Sequence, residues 1–464
     1  MDNIQKVSAS LRAPASLVVR SCEPEADSSY RTDFMRDRDR ILYSKAFRRL
    51  SGKTQVYVTG SDDHIRTRLT HTLEVSQIAR TIAQTLNLDT DLTEAISLGH
   101  DIGHTPFGHA GERMLHQLMT ENLISATGES IVIPTEDRGF KHNLQGVATS
   151  ILAEKNYESD GLALTNFTLW GIKAHSGIYY ANETENNVGY YSQFNKHLQL
   201  KDCESPAISF EAYVVREADE IAQRHHDLED AIRGNLITNA DIIGRIRDTF
   251  SAFLPETDQA RLERMSTLTD SQEFLAHLAK LIVNLYVTRL LESSSKNINW
   301  LIKEKRLSED SFPEFIKHPD LDTAHTLDKI ISYTAFDESL DDKFSDAANR
   351  FKAFISERVL ASYDIQKADA KGQYIIRKLF RAFVTSPSQL PDHCVLEFLK
   401  NDKGRNWDEI RKKQGMGEIR IAFLNRVKLP RNIQDELNLK RVVCNYIAGM
   451  TDNYAKQVFS EIYK

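Results

Sequence analysis

What most limits the folds open to this chain is the spacing of its apolar residues. They recur three or four positions apart through long stretches, which gathers them on one face of a 3.6-residue helix. Leu69, Leu73, Val75, Ile78, Ile82 and Leu86 form one such face, and Val214, Ala218, Ile221 and Ala222 another. Alternation with a period of two, the mark of a half-buried strand, is scarce. Helix breakers are few, with 11 prolines and 20 glycines among 464 residues. An all-α chain with a helical bundle core is expected.

The spacing predicts a first solid helix over 37–50, then helices over 65–87, 91–101, 106–121, 140–154, 164–175 and 207–233. Residues 1–30 are polar, carry Pro14 and Pro24, and read as an irregular arm. SATGESIVIPTEDRG at 125–139 interrupts the pattern as a loop or small hairpin, and the Tyr- and Asn-rich segment at 176–196 as the cover of a pocket. Beyond about residue 250 helical pieces continue, broken at Pro313, Pro319, Pro387, Pro391 and Pro430. The basic stretch from Lys403 to Lys413, with Trp407, reads as a solvated helix face.

A net charge of -7 excludes the global basic field of a dedicated nucleic-acid binder and leaves room only for a local patch. The N-terminal MDNIQKVSASLRAPAS lacks the apolar core of a secretion signal, and no run approaches the roughly 18 consecutive apolar residues of a spanning helix. A cytoplasmic protein with no membrane partner is expected. Cys22, Cys203, Cys394 and Cys444 are scattered and form no CxxC pair, so ordinary reduced thiols are expected.

The stretch HDIGHTPFGHAGE at 100–112 concentrates histidines, acids and glycines. A divalent metal that activates water wants a few His and Asp ligands and one open position. His71 in RLTHTLEV, His100 and Asp101 in LGHDIG, and Asp219 in VVREADEIA fit that demand. Adjacent helical residues diverge by about 100°, so His100 and Asp101 reach one ion only from a helix end. An HD dipeptide alone occurs often by chance, and a lone buried histidine is commonly a hydrogen-bonded core residue. The surroundings strengthen the site: Gly99, Gly103, Gly108 and Gly111 allow close backbone approach, while His104, His109 and Glu112 add groups capable of proton transfer.

Several blocks in fixed order resemble one family. They are FRRLSGKTQV at 47–56, RTRLTHTLEV at 66–75, HDIGHTPFGHAGE at 100–112, FKHNLQGV at 140–147, KAHSG at 173–177, ADEIAQRHHDLEDA at 218–231 and VVCNYIAGMTDNYA at 442–455. Together they resemble the HD-domain metallohydrolases, and within these the deoxyguanosine triphosphate triphosphohydrolases and their dNTPase relatives. The resemblance implies an N-terminal arm over 1–35, an HD-domain helical core over 36–235 and a C-terminal helical extension over 236–464 that completes the fold. It places His71, His100, Asp101 and Asp219 at four metal-ligand positions, for magnesium or manganese foremost, with iron or another divalent ion admitted. The implied reaction is hydrolysis at the α-phosphorus of a dNTP, dGTP favoured, to deoxynucleoside and tripolyphosphate, serving dNTP pool control.

In the same way His109 falls on a catalytic histidine, oriented by Glu112 three positions on, and His104 and His142 match histidines along the phosphate path. Gln55 matches a residue that rejects the ribose 2′-hydroxyl, Asp227 an acid on the 3′-hydroxyl, and Arg68 an arginine on phosphate. Lys173 and Tyr179 fall near phosphate and sugar or base. The resemblance also implies a homo-oligomer, hexamer or tetramer, with an allosteric dNTP or single-stranded DNA as further partners. Two residues depart from the pattern: Gln223 stands where many relatives carry tyrosine, which bears on base preference, and Asn445 where they carry aspartate, a structural position. No SAM domain is expected ahead of the core. Two other readings stay open: an HD phosphohydrolase of different nucleotide specificity, and a silent HD scaffold that senses dNTP or single-stranded DNA.

Overall fold

The computed structural model describes residues 11–21, 30–55, 66–124, 130–153, 161–176, 187–308, 310–318, 321–336, 343–359, 361–400, 407–428 and 431–463. Most helices of its first half start where a short polar side chain closes an open backbone N–H. Thr32 caps α1 (Asp33–Leu42), and Ser44 caps α2 (Lys45–Arg49). The single helix expected over 37–50 is therefore two, because the Ser44 hydroxyl accepts the Phe47 N–H and restarts the chain. Thr67 caps α3 (Arg68–Thr85) and Asp89 caps α4 (Thr90–Gly99).

No side chain caps α5 (Gly108–Thr120). It begins after Phe107, held at φ 62°, followed by Gly108 at φ 56°. Two successive left-handed residues turn the chain sharply, and a phenylalanine there is strained, a cost met at sites the surroundings fix. Then come α6 (His142–Ala148), α7 (Asn166–Ala174, capped by Thr165) and α8 (Phe210–Arg233, capped by Ser209). The helix expected over 140–154 is shorter, since 149–153 widens into a π turn. Leu123–Ile124 pairs antiparallel with Ser130–Ile131, a small hairpin whose tip lies outside the described residues. Of the expected pocket cover, 177–186 lies outside them too, and Gly189–Leu198 is 3₁₀-helical.

Helix α3 packs between α4 and α8, with α1 and α7 also against α4. Val75, Ile82 and Leu86 are fully buried, as are Val214, Ala218, Ile221 and Ala222. At about 1.5–3 kcal/mol for each large apolar side chain, this burial fixes the mutual orientation of α3 and α8. Leu73 departs from expectation and is 52 % exposed. It stands two residues from both His71 and Val75, some 200° round the helix from the buried face.

After α9 (Asn239–Phe250) and α10 (Glu256–Met265) runs α11 (Ser271–Lys305), which packs on α8 and α10. In contrast to the sequence expectation, α11 is long and apolar enough to cross a membrane by composition. Its apolarity here serves the interior, where Leu278, Leu281, Ile282, Leu285 and Tyr286 are buried. Helices α12 (Phe312–Lys317), α13 (Leu321–Ile330) and α14 (Lys343–Val359) complete this first core.

A second core forms around α15 (Tyr363–Thr385), α16 (Asp392–Lys400), α17 (Trp407–Gln414), α18 (Met416–Arg426), α19 (Ile433–Ala448) and α20 (Asp452–Tyr463). It also takes in Met114, Leu115, Leu118 and Met119 of α5. Trp407 is buried in this core, so the stretch ending at Lys413 is not wholly a solvated face. Asn445 donates to Glu397 Oε1 at 2.8 Å. An aspartate there would set two acids against each other, which accounts for the amide at this structural position.

Candidate metal centre

Six elements converge on one cavity of about 520 Å³, whose wall includes Arg68, His71, Asp101, His104, His109, His142, His175 and Asp219. Helix α3 supplies Arg68 and His71 one turn apart, and the end of α4 supplies His100 and Asp101. The turn at 101–104 closes with the His104 N–H on the Asp101 carbonyl at 3.0 Å. It can pass tightly because residue 103 is glycine: a Cβ there would meet the His142 carbonyl oxygen at 2.1 Å.

His71 Nε2 lies 2.9 Å from Asp219 Oδ1. His100 Nδ1 donates to the Ser97 carbonyl at 2.7 Å, so its Nε2 is the bare nitrogen. That Nε2 is buried without a hydrogen-bond partner, 3.5 Å from Asp101 Oδ1 and 3.9 Å from Asp219 Oδ1. Ligand atoms of His71, His100 and Asp101 lie within 4.8 Å of one another. A lone buried nitrogen beside two carboxylates is what a cation would satisfy, and two imidazoles with two carboxylates suit a divalent ion. Burial pushes the Asp101 carboxyl up, but the neighbouring His100 and His104, with Arg68, outweigh it and hold it well below the usual range.

A second group lies beside the first. The Glu112 carboxylate, buried, accepts from His142 Nδ1 at 2.8 Å and faces His109 Nδ1 at 3.3 Å, with Lys141 Nζ at 3.4 Å. Burial opposes its charge, but His142 and His109 prevail and hold Glu112 well below its ordinary pKa. His109 has a 61 % exposed side chain and remains reachable from solvent. His104 joins the two groups: its Nε2 lies 3.2 Å from Asp101 Oδ1, and its ring stacks on His142 at 3.8 Å.

The residues expected near sugar and phosphate divide. Gln55 lines the cavity, with its amide oxygen buried and unpartnered. Arg68 also lines it, yet is 1 % exposed and ion-paired with Asp101 at 2.6 Å. Asp227 is not on the wall; Gln223 is, and it donates to Asp227 Oδ1 at 3.3 Å. Burial, then the neighbouring Asp230, pushes the Asp227 carboxyl up to about 7. Lys173 likewise stands off the wall and donates to Asn195 Oδ1 at 2.9 Å. Tyr179 lies outside the described residues.

Other residues at the site were not singled out from the sequence. His175 sits with Nε2 3.3 Å from His142 Nε2, its Nδ1 donating to the Ile172 carbonyl. The far wall carries Arg216, Glu217, Glu220 and Arg224 of α8. Arg224 stacks over the Tyr286 ring at 4.7 Å. Below the site, buried Lys53 donates to the carbonyls of His104 and Ala448, and its pKa falls to about 7 through burial and the nearby Arg49 and Arg68. Asp452 of α20 accepts the Thr54 N–H and hydroxyl on one oxygen and the Phe107 N–H on the other.

The HD domain family matches residues 68–187, and the phosphohydrolase-associated domain family matches 339–408 and 420–461. A deoxyguanosinetriphosphate triphosphohydrolase-like protein of Rickettsia conorii is 32% identical over 441 residues, covering 94% of this chain and 93% of the relative. The protein of that name from Rickettsia bellii is 33% identical over 442 residues, with the same two coverages. Such similarity along nearly the whole of both chains goes beyond a shared motif: the chain belongs to the HD-domain phosphohydrolases, in the family of deoxyguanosinetriphosphate triphosphohydrolase-like proteins.

Proposed function

We propose that the protein is a metal-dependent deoxynucleoside triphosphate triphosphohydrolase, with dGTP as its favoured substrate. The observation that carries the reading is that two distinct groups reach one cavity, the first through His71, Asp101 and Asp219 and the second through His109 and His142. One is the His71, His100, Asp101 and Asp219 cluster; the other is the Glu112 carboxylate with His109 and His142. The names of the two relatives support the substrate.

A divalent ion held by His71, His100, Asp101 and Asp219 supplies charge neutralisation at the α-phosphate and a more acidic water. The chain's own residues do the rest. Attack of a water oxygen on the α-phosphorus breaks its bond to the 5′ oxygen, which leaves as an alkoxide unless a proton arrives. His109 gives that proton from Nε2, while Glu112 holds its Nδ1 and orients the ring. The water oxygen stays on the tripolyphosphate, its released proton passes to solvent, and His109, exposed there, regains a proton for the next turnover. Lys141 and Arg68 offset the phosphate charge, and Gln55 and Gln223 bound the sugar.

The same reading takes in a role in dNTP pool control, a homo-oligomer, and activation by a second dNTP. The test is turnover on all four dNTPs, singly and mixed, with manganese or magnesium and with products identified. Deoxynucleoside plus intact tripolyphosphate, fastest from dGTP, is expected. Orthophosphate as the sole phosphate product, or binding without turnover, would overturn it.

A further inference from the structure

Behind the metal-facing side of His71 stands a chain of side chains that the proposed reaction does not use. His71 turns Nε2 to Asp219, and its other nitrogen, Nδ1, lies 3.2 Å from Nδ1 of His226. His226 Nε2 in turn meets the Glu74 carboxylate. An ionised carboxylate only accepts, so His226 carries its proton on Nε2 and offers Nδ1 as an acceptor. His71 then carries its proton on Nδ1, and its Nε2 is bare. A metal needs that tautomer.

The two helices present this chain by simple spacing. His71 and Glu74 are three apart on α3, and Asp219 and His226 seven apart on α8, so each pair shares a face. His71 and His226 are buried between the two helices. Glu74 lies at the rim, its second oxygen 3.6 Å from Arg66 Nε.

We infer that Glu74 and His226 are positioning residues that fix the tautomer and orientation of His71 and thereby set the affinity of the metal centre. The inference rests on the metal-centre reading above. A rival use of the same atoms is a second ion held by Glu74, His225 and His226, which lie close enough to share one. The Arg66 guanidinium beside Glu74, and the direct contact of Glu74 with His226, favour the hydrogen-bonded chain.

Manganese binding to the full chain, measured by equilibrium titration with stoichiometry, tests this without reference to turnover. His226→Ala and Glu74→Ala are expected to weaken the ion about 10- to 100-fold, the scale for losing such an outer partner. Glu74→Gln keeps an acceptor for His226 and should recover most of the affinity, a rescue that a merely structural role would not give. His225 also reaches the Glu74 carboxylate, at 3.3 Å. As the control, His225→Ala keeps the chain intact and should bind within about twofold of wild type. Should His226→Ala not fold, the two variants at Glu74 decide.

Wild-type affinity in Glu74→Ala and His226→Ala overturns the positioning role. A second ion per wild-type chain that disappears in His225→Ala also overturns it and assigns the rival site. A wild type that binds no divalent ion overturns instead the metal-centre reading, and with it this inference.

Discussion

Arg68 Nη1 lies 2.6 Å from Asp101 Oδ2, and both side chains are buried. The arginine read from sequence as a phosphate contact is therefore first a counter-charge to a proposed metal ligand. Removing one partner of a buried pair leaves the other uncompensated, at a cost of about 3–5 kcal/mol. Arg68→Ala should lose stability on that scale in EDTA, and manganese should restore more of it than manganese adds to wild type. Urea unfolding with and without the ion measures both. Equal increments from manganese would show that Asp101 does not meet the ion.

The division of labour between the two histidine groups gives opposite expectations for two variants. Asp101→Ala should lose metal and activity together. His109→Ala should keep the metal and bind nucleotide but turn over about 100-fold or more slowly, as expected for loss of a general acid. A His109→Ala enzyme that cleaves dGTP at the wild-type rate would remove that residue from the mechanism.

Preference for a deoxy sugar should depend on Gln55 and on the Gln223–Asp227 pair. Since Gln223 is on the wall and Asp227 behind it, loss of either should act through the other. Gln223→Ala and Asp227→Ala are each expected to narrow the ratio of kcat/KM for dGTP over GTP about tenfold or more. Parallel kinetics on the two nucleotides give the ratio, and an unchanged value would take the pair out of sugar reading.

Glu211 offers a test of stability against pH away from the cavity. Its carboxylate is fully buried, accepts the Asp89 N–H at 3.0 Å, and burial pushes its pKa from 4.5 up to about 7. The unfolded chain then releases this proton before the folded one does. Stability from the protonated group is complete below pH 4.5 and is lost as pH rises through about 7, by at most about 3 kcal/mol. Glu211→Gln should flatten the fall in melting temperature between those values. A variant that parallels wild type from pH 5 to 8 would show that Glu211 is charged in both states.

Much of this was legible in the sequence because periodicity reports the inward face of a helix. Val214, Ala218 and Ile221 are buried as their spacing demands, and Asp101, His104 and His109 of HDIGHTPFGHAGE line a cavity. Leu73 shares the apolar period but points the other way, and Lys173 and Asp227 stand in the motif yet have their polar ends on neighbouring side chains rather than on the wall. The positions of His226 and Glu74 were readable, seven from Asp219 and three from His71, but only once α3 and α8 are known to lie together. The tie of Lys53 to Ala448 and the roles of Asp452 were not readable, since these partners lie hundreds of residues away.

Those long ties bear on how the chain can be cut. Asp452 of α20 grips both Thr54, ahead of α3, and Phe107, at the bend that launches α5, while Lys53 spans from His104 to Ala448. An excised segment bounded by the HD match would keep His71, His100 and Asp101 but lose Asp219 of α8, together with the clamps that hold the two approaches to the cavity in register. The chemistry here is not a portable module: grafting or truncation would have to carry α19 and α20 along, although neither supplies a proposed ligand or catalytic group.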